Sequence, residues 1–222
     1  MMTLYHSPLS PPCRTVRIML AEKGIEAVLQ EEKAWERREA FLAMNPAGTL
    51  PVLEDDQGLP VAELWPICEF LEEVFPERPL IGTDPYARAE ARRLLSWFEH
   101  KFAHEVSELL LEEKVVKRIT RRGQPDSGAL RAARHNIRYH LDYVGWLSER
   151  RSWLAGDELS VADISAAAHL SCLDYLGDVP WEDFPAAKDW YARFKSRPSM
   201  RSLLSDQLPG LSPPAHYADL DF

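Results

Sequence analysis

The chain has 222 residues, 45% of them hydrophobic, with a formal net charge of −9 and three cysteines. That is enough apolar sequence for one large core or two small ones, and the acidic balance excludes the non-specific nucleic-acid and anionic-membrane binding that need a basic field. No apolar run reaches membrane-span length, no secretory leader pattern opens the chain, and Cys13, Cys68 and Cys172 are scattered without a C-x-x-C pair, so a reducing cytoplasm is the expected compartment.

Residues 3–6 predict a short strand stopped by Ser7-Pro8, and Ser10-Pro11-Pro12-Cys13 leads into a helix. Val16, Ile18, Met19 and Leu20 supply its apolar positions and Gly24 its C-terminal cap. Residues 27–30 predict a second strand, and residues 35–43 a charged, weakly helical connection. The run Asn45-Pro46-Ala47-Gly48-Thr49-Leu50-Pro51-Val52-Leu53 follows; its second proline is compatible with a cis bond and opens a short apolar strand that cannot begin earlier. Asp55-Asp56-Gln57-Gly58 between residues 52–54 and 59–62 is a hairpin signal, and residues 64–74 predict a closing helix.

Pro76 and Pro79 mark a linker, after which Asp84-Pro85 reads as an N-cap with proline at the first helical position. Leu94, Phe98, Phe102, Val106, Leu109 and Leu110 trace a buried face on a long helix over residues 88–118. Gly123-Gln124-Pro125 breaks the pattern before a helix over 129–148. Ser160-Val161-Ala162-Asp163 is a capping box, and a later helix ends in Trp190-Tyr191-Ala192-Arg193-Phe194-Lys195-Ser196-Arg197-Pro198. Leu208-Pro209-Gly210-Leu211-Ser212-Pro213-Pro214 cannot be helical, so an extended tail is expected to deliver Tyr217, Asp219, Leu220, Asp221 and Phe222.

The N-P-x-G-x-x-P-x-L run at 45–53 resembles the centre of the thioredoxin-like domain of glutathione S-transferases. The G-D-x-x-S-x-A-D box at 156–163 and the W-Y-x-R-F-x-x-R-P ending at 190–198 resemble their helical domain, so the likeness spans nearly all of the chain. It implies an α/β plus all-α architecture: a thioredoxin-like domain at 1–78, a linker at 79–86, a helical domain at 87–205 and a Pro-rich tail at 206–222. It also implies a glutathione-like site at Ser10, Leu50, Pro51, Glu63 and Leu64, with Pro51 held cis. In that family the element after the hairpin begins Glu-Ser, and the serine and its amide hold the γ-glutamyl carboxylate; this chain reads Glu63-Leu64 and lacks the hydroxyl. A carboxylate left without its donor loses the discrimination such a site provides.

Ser10 stands where these enzymes and thioredoxins keep a nucleophile or thiolate stabiliser, since a helix N-terminus lowers a thiol pKa. It is equally an ordinary helix cap, and with the grip incomplete no catalytic residue is expected; Ser10 serves catalysis only under the alternative of a glutathione-dependent transferase. Cys13 reads as a small buried residue. His100 and His104 share a helix face without a third ligand, so a solvated face rather than a metal site is expected.

Two basic islands interrupt the acidic background: Trp35-Glu36-Arg37-Arg38, and residues 114–122 with Lys114, Arg118 and Arg121. A tryptophan beside arginines has the composition of an interface hot spot, although Trp35 could equally be core and the second island a favourable helix C-terminus. The Glu63-Leu64 departure, the Trp35 island and the acidic, aromatic ending resemble the transferase-like proteins of α-proteobacteria that bind the tubulin-like division polymer FtsZ. That resemblance implies a cytoplasmic homodimer, without cofactor, that engages FtsZ at the division site and favours curved, bundled filaments. Trp35, Arg38, Lys114, Arg118 and Arg121 are the expected partner contacts; Tyr217, Asp219, Leu220, Asp221 and Phe222 are expected to form a recognition tail, unless Tyr217 and Phe222 fold back as a clasp. The dimer is expected to form through the two long helices.

Overall fold

A computed structural model describes residues 1–220, so the tail assignments at Asp221 and Phe222 lie outside the described residues. Strand β1 (Met2–His6) pairs in parallel with β2 (Ala27–Glu31) and antiparallel with β3 (Val52–Glu54), which pairs antiparallel with β4 (Pro60–Ala62). The sheet order is β2-β1-β3-β4, with Leu4 opposite both Leu29 and Leu53. Helix α1 (Pro11–Lys23) ends at Gly24, whose φ of 73° is open to a residue without a Cβ. The hairpin turn forms because the Asp55 carboxylate accepts from the Gln57 and Leu59 amides, each at 2.8 Å. A 3-10 turn at Ala34–Glu36 and α2 (Glu39–Met44) make up the charged connection, and α3 (Leu64–Val74) closes the unit.

Asp84 caps α4 (Pro85–Ser96) by accepting from the Tyr86 and Ala87 amides at 2.8 and 3.1 Å. The helix continues through a π-helical stretch at Trp97–Ser107, α5 (Glu108–Leu111), a second π stretch at Glu112–Val116 and α6 (Lys117–Thr120). It starts at Pro85, as the Asp84-Pro85 signal predicts, ends at Thr120, later than the expected 118, and its two π stretches interrupt the 3.6-residue register. Helix α7 (Ser127–Ser148), α8 (Val161–Tyr175), α9 (Pro185–Lys195) and the short α10 (Arg201–Leu204) complete the bundle.

Helix α8 is the centre of the molecule, with every one of its residues buried. Its N-terminus is fixed by the capping box: Asp163 accepts from the amides of Leu154 and Ser160 at 2.7 and 3.1 Å, and the Ala162 amide donates to Ser160 Oγ at 3.2 Å. Helix α1 packs against α3 and α8, and one continuous apolar core includes Leu4 and Leu53, Val16 and Met19, and Leu170 and Tyr191.

The tail departs from the extended stalk expected of it. Leu208 and Leu211 pack with Leu9, Val115, Cys172 and Tyr175 in a second apolar cluster, and a 3-10 turn at Ala215–Tyr217 carries the Tyr217 ring into it. Tyr217 is fully buried, edge-on to Tyr175 at 5.1 Å, so it anchors the tail and is not part of a presented recognition peptide. Asp219 and Leu220 are exposed.

Candidate interdomain cleft

Between the loop before α1 and the C-terminal end of the long helix lies a cleft of about 820 Å³. Its lining comes from Ser7 to Ser10 before α1 and from Leu111, Val115 and Ile119 of the long helix. Leu208, Pro209 and Leu211 of the tail and Trp35 on the 3-10 turn complete it. The fold thus brings Ser10, Trp35 and the Arg118–Arg121 pair to one opening, although they come from three separate parts of the sequence.

Ser10 holds the N-cap position of α1 without making a side-chain cap bond. The thiol one turn further in, Cys13 Sγ, accepts from the Ser7 amide at 3.5 Å and is fully buried; burial pushes its pKa up to about 11, so it stays protonated and unreactive. The Leu50–Pro51 bond is cis, as expected. Leu50, Pro51, Glu63 and Leu64, however, do not line the cleft. Glu63 sits at φ 76°, ψ 148°, an unusual conformation for a residue with a Cβ, and its carboxylate accepts from the Thr49 hydroxyl. Its amide donates to the Pro51 carbonyl at 3.1 Å. Both groups therefore have partners within the chain, and the buried Leu64 side chain joins the core.

Among the described residues, the basic ones divide into paired and unpaired. Arg38, whose side chain is 49% exposed, is bound to the carboxylate of Glu32, which is 1% exposed, and so neutralises a buried charge. Lys114 is similarly drawn to Asp178, which also accepts from Arg134 at 3.0 Å. Both cations therefore have a structural task that Arg118 and Arg121 lack, because a buried carboxylate needs a cation. Trp35 is 47% exposed, which rules out the core alternative for it. Arg118 and Arg121 are exposed at the cleft mouth.

Charge also holds the tail, through residues that sequence reasoning did not single out. The Arg14 guanidinium, fully buried, donates to the Pro8 carbonyl at 2.7 Å, Ser171 Oγ at 2.8 Å and Asp206 at 3.3 Å. Arg17 donates to both oxygens of Asp206 at 2.7 and 3.0 Å. Tyr175 donates to the Leu211 carbonyl at 2.6 Å and accepts from the Leu208 amide at 3.0 Å. Nothing local in the sequence marks Arg14 or Asp206, which lie 192 residues apart.

His100 and His104 are exposed, and His100 stacks on Trp65 at 6.5 Å. No cluster of three candidate metal ligands occurs among the described residues, and no helix among them is long and apolar enough to cross a membrane.

Residues 9–74 match the glutathione S-transferase N-terminal domain, and residues 119–198 match the glutathione S-transferase C-terminal domain. FtsZ-localized protein A of Caulobacter vibrioides is 51% identical, the alignment covering 99% of this chain and 98% of the relative. Among solved structures, a glutathione S-transferase from Rhodospirillum rubrum F11 is 55% identical with a TM-score of 0.99, covering 100% of both chains. FzlA from C. crescentus is 51% identical with a TM-score of 0.96, covering 100% of this chain and 99% of that one. With both domains matched in order and both halves of the fold present, the chain belongs to the glutathione S-transferase family.

Proposed function

We propose that this chain is a non-catalytic adaptor of bacterial cell division that binds FtsZ filaments through the interdomain cleft and promotes their curvature and bundling. The observation that carries the reading is the 51% identity, over 99% of the chain, to a relative named for its localisation with FtsZ. The state of the glutathione-like site supports it: Glu63 is turned onto Thr49, Leu64 offers no hydroxyl, and Cys13 is a protonated, buried thiol. Trp35, Arg118 and Arg121 are the contacts we assign to FtsZ, acting in the cytoplasm at the division site.

A homodimer completes the mechanism. The long helix and α7 carry the partly buried Trp97 and Tyr143 next to the exposed Tyr139 and Trp146, with Trp97 and Tyr143 at 4.7 Å and Tyr143 stacked on Trp146 at 6.2 Å. Tyr139 and Trp146 are 59% and 49% exposed, more aromatic surface than a monomer needs. Two FtsZ sites related by a two-fold axis would cross-link filaments or set their angle.

The second reading is a glutathione-dependent transferase, favoured by the Rhodospirillum relative's name and by Ser10, which lines the cleft and whose hydroxyl makes no helix-cap bond. Co-sedimentation with polymerised FtsZ, run beside calorimetric titration with glutathione and turnover of an aromatic halide, separates the two. The adaptor reading expects pelleting with filaments, absent or weak glutathione binding, and a Ser10→Ala variant that still pellets. Low-micromolar glutathione affinity with clear turnover and no pelleting would replace it with the transferase.

A further inference from the structure

Five basic side chains lie between residues 114 and 122, and three of them are engaged. Lys114 is held by Asp178, Lys117 by Glu113 at 2.5 Å, and Arg122 lies 3.4 Å from Glu112. Arg118 and Arg121 make no side-chain hydrogen bond or ion pair among the described residues. Arg121 also holds the left-handed cap of α6 at φ 55°, a position that favours glycine or asparagine. A guanidinium kept there without an internal partner points to a role outside the fold.

Both arginines line the large cleft and also a neighbouring hollow of about 590 Å³ bounded by Gly123 to Pro125, Leu176 and Leu211. They form a ridge between two depressions, an elongated surface suited to a chain rather than a compact ligand. The wall beneath is apolar, and Ile119 and Trp35 project into it at 46% and 47% exposure. Glu31, Glu108 and Glu112 also border the large cleft. Those carboxylates would repel a polyanion, whereas a single carboxylate can sit between two guanidiniums.

Resting on the reading of the cleft as the partner site, we propose that it receives an extended polypeptide segment of the partner in which an Asp or Glu is flanked by apolar residues. The carboxylate pairs with Arg118 and Arg121 in the forked geometry that guanidinium offers. The apolar side chains fill the space among Val115, Ile119, Leu211 and Trp35.

The test is photo-cross-linking of the full chain, carrying benzoylphenylalanine in place of Ile119, to polymerised FtsZ, with the adduct mapped by mass spectrometry. Pelleting assays of Arg118→Glu, Arg121→Glu and Arg118→Lys accompany it. The expected adduct lies on an FtsZ segment with an acidic residue beside apolar ones. The charge reversals are expected to weaken binding at least tenfold with unchanged melting temperature, and Arg118→Lys to weaken it less. Pelleting that survives both reversals, or an adduct on a segment without acidic residues, would overturn this proposal while leaving the adaptor reading intact. Failure of the unmodified protein to pellet with FtsZ would overturn both.

Discussion

The Tyr217 hydroxyl accepts a hydrogen bond from Arg14 Nη1 at 3.1 Å and donates one to the Leu203 carbonyl at the same distance, tying the first helix to the tail across 203 residues of sequence. Burial pushes the phenol pKa up to about 12, with Arg14 opposing, so this bond is constant across physiological pH. Tyr217→Ala opens a cavity and removes a partner from a buried guanidinium, and is expected to cost about 3–5 kcal/mol; Tyr217→Phe, which deletes only the hydroxyl, about 1–3 kcal/mol. Denaturant titration checks both, and an unshifted midpoint for the alanine variant would exclude the clasp.

Exposure separates the two ends of the tail. Asp219 lies beyond the clasp, exposed but with its charge acting favourably on Lys195, so Asp219→Lys is expected to lower stability by up to about 1 kcal/mol and to leave FtsZ pelleting intact. If the terminus engages a further division partner, the same substitution impairs constriction in cells, because a reversed charge opposes a complementary contact. Normal division with this variant would remove the recognition role.

Trp35 and Lys114, similar as sequence candidates, are expected to behave oppositely on truncation. Trp35→Ala, half exposed on a 3-10 turn, should hold stability within about 0.5 kcal/mol and weaken FtsZ pelleting. Lys114→Ala leaves Asp178, whose side chain is 3% exposed, with Arg134 as its remaining ion-pair partner, and should destabilise by about 1–3 kcal/mol. Melting curves and pelleting of the two variants, run together, decide the assignment.

His6 confers a loss of stability in acid. Burial, reinforced by Arg17 and Arg14, lowers its pKa to about 4, while Asp206 opposes the shift. Between the unfolded value near 6.5 and about 4 the unfolded chain binds more protons, so stability falls as pH drops through that window and is recovered above it. Asp163 works in the opposite direction: burial raises it to about 6, so the folded state gains protons as pH falls below that. The informative quantity is therefore the difference between wild type and His6→Gln. The variant should lose less stability between pH 7 and pH 5; an identical loss would show that His6 does not titrate as its surroundings require.

Trp146→Glu places a charge within the outward aromatic face of α7, where Tyr143 and Trp146 stack. If that face forms the dimer, the variant is expected to be a folded monomer by light scattering at micromolar concentration, with loss of filament bundling before loss of filament binding. A wild-type protein that is itself a stable monomer would remove the cross-linking mechanism.

Much of the fold was legible in the sequence because its signals are local. The Asp55 turn, the Asp84-Pro85 helix start and the Ser160–Asp163 box each satisfy backbone groups within a few residues, so composition and spacing suffice to locate them. The absence of a hydroxyl at Leu64 is likewise a fact of the sequence, and so is the family likeness carried by residues 45–53 and 156–163. Which charged residues are available is not local. Arg38 and Lys114 were indistinguishable from Arg118 and Arg121 until folding paired the first two with the buried carboxylates of Glu32 and Asp178 and left the second two without an ion pair among the described residues. Tyr217 read as part of a displayed tail until Arg14, 203 residues away and itself held by Ser171 and Asp206, came to bond its hydroxyl. Burial and pairing depend on contacts between distant segments, and only the tertiary structure decides them.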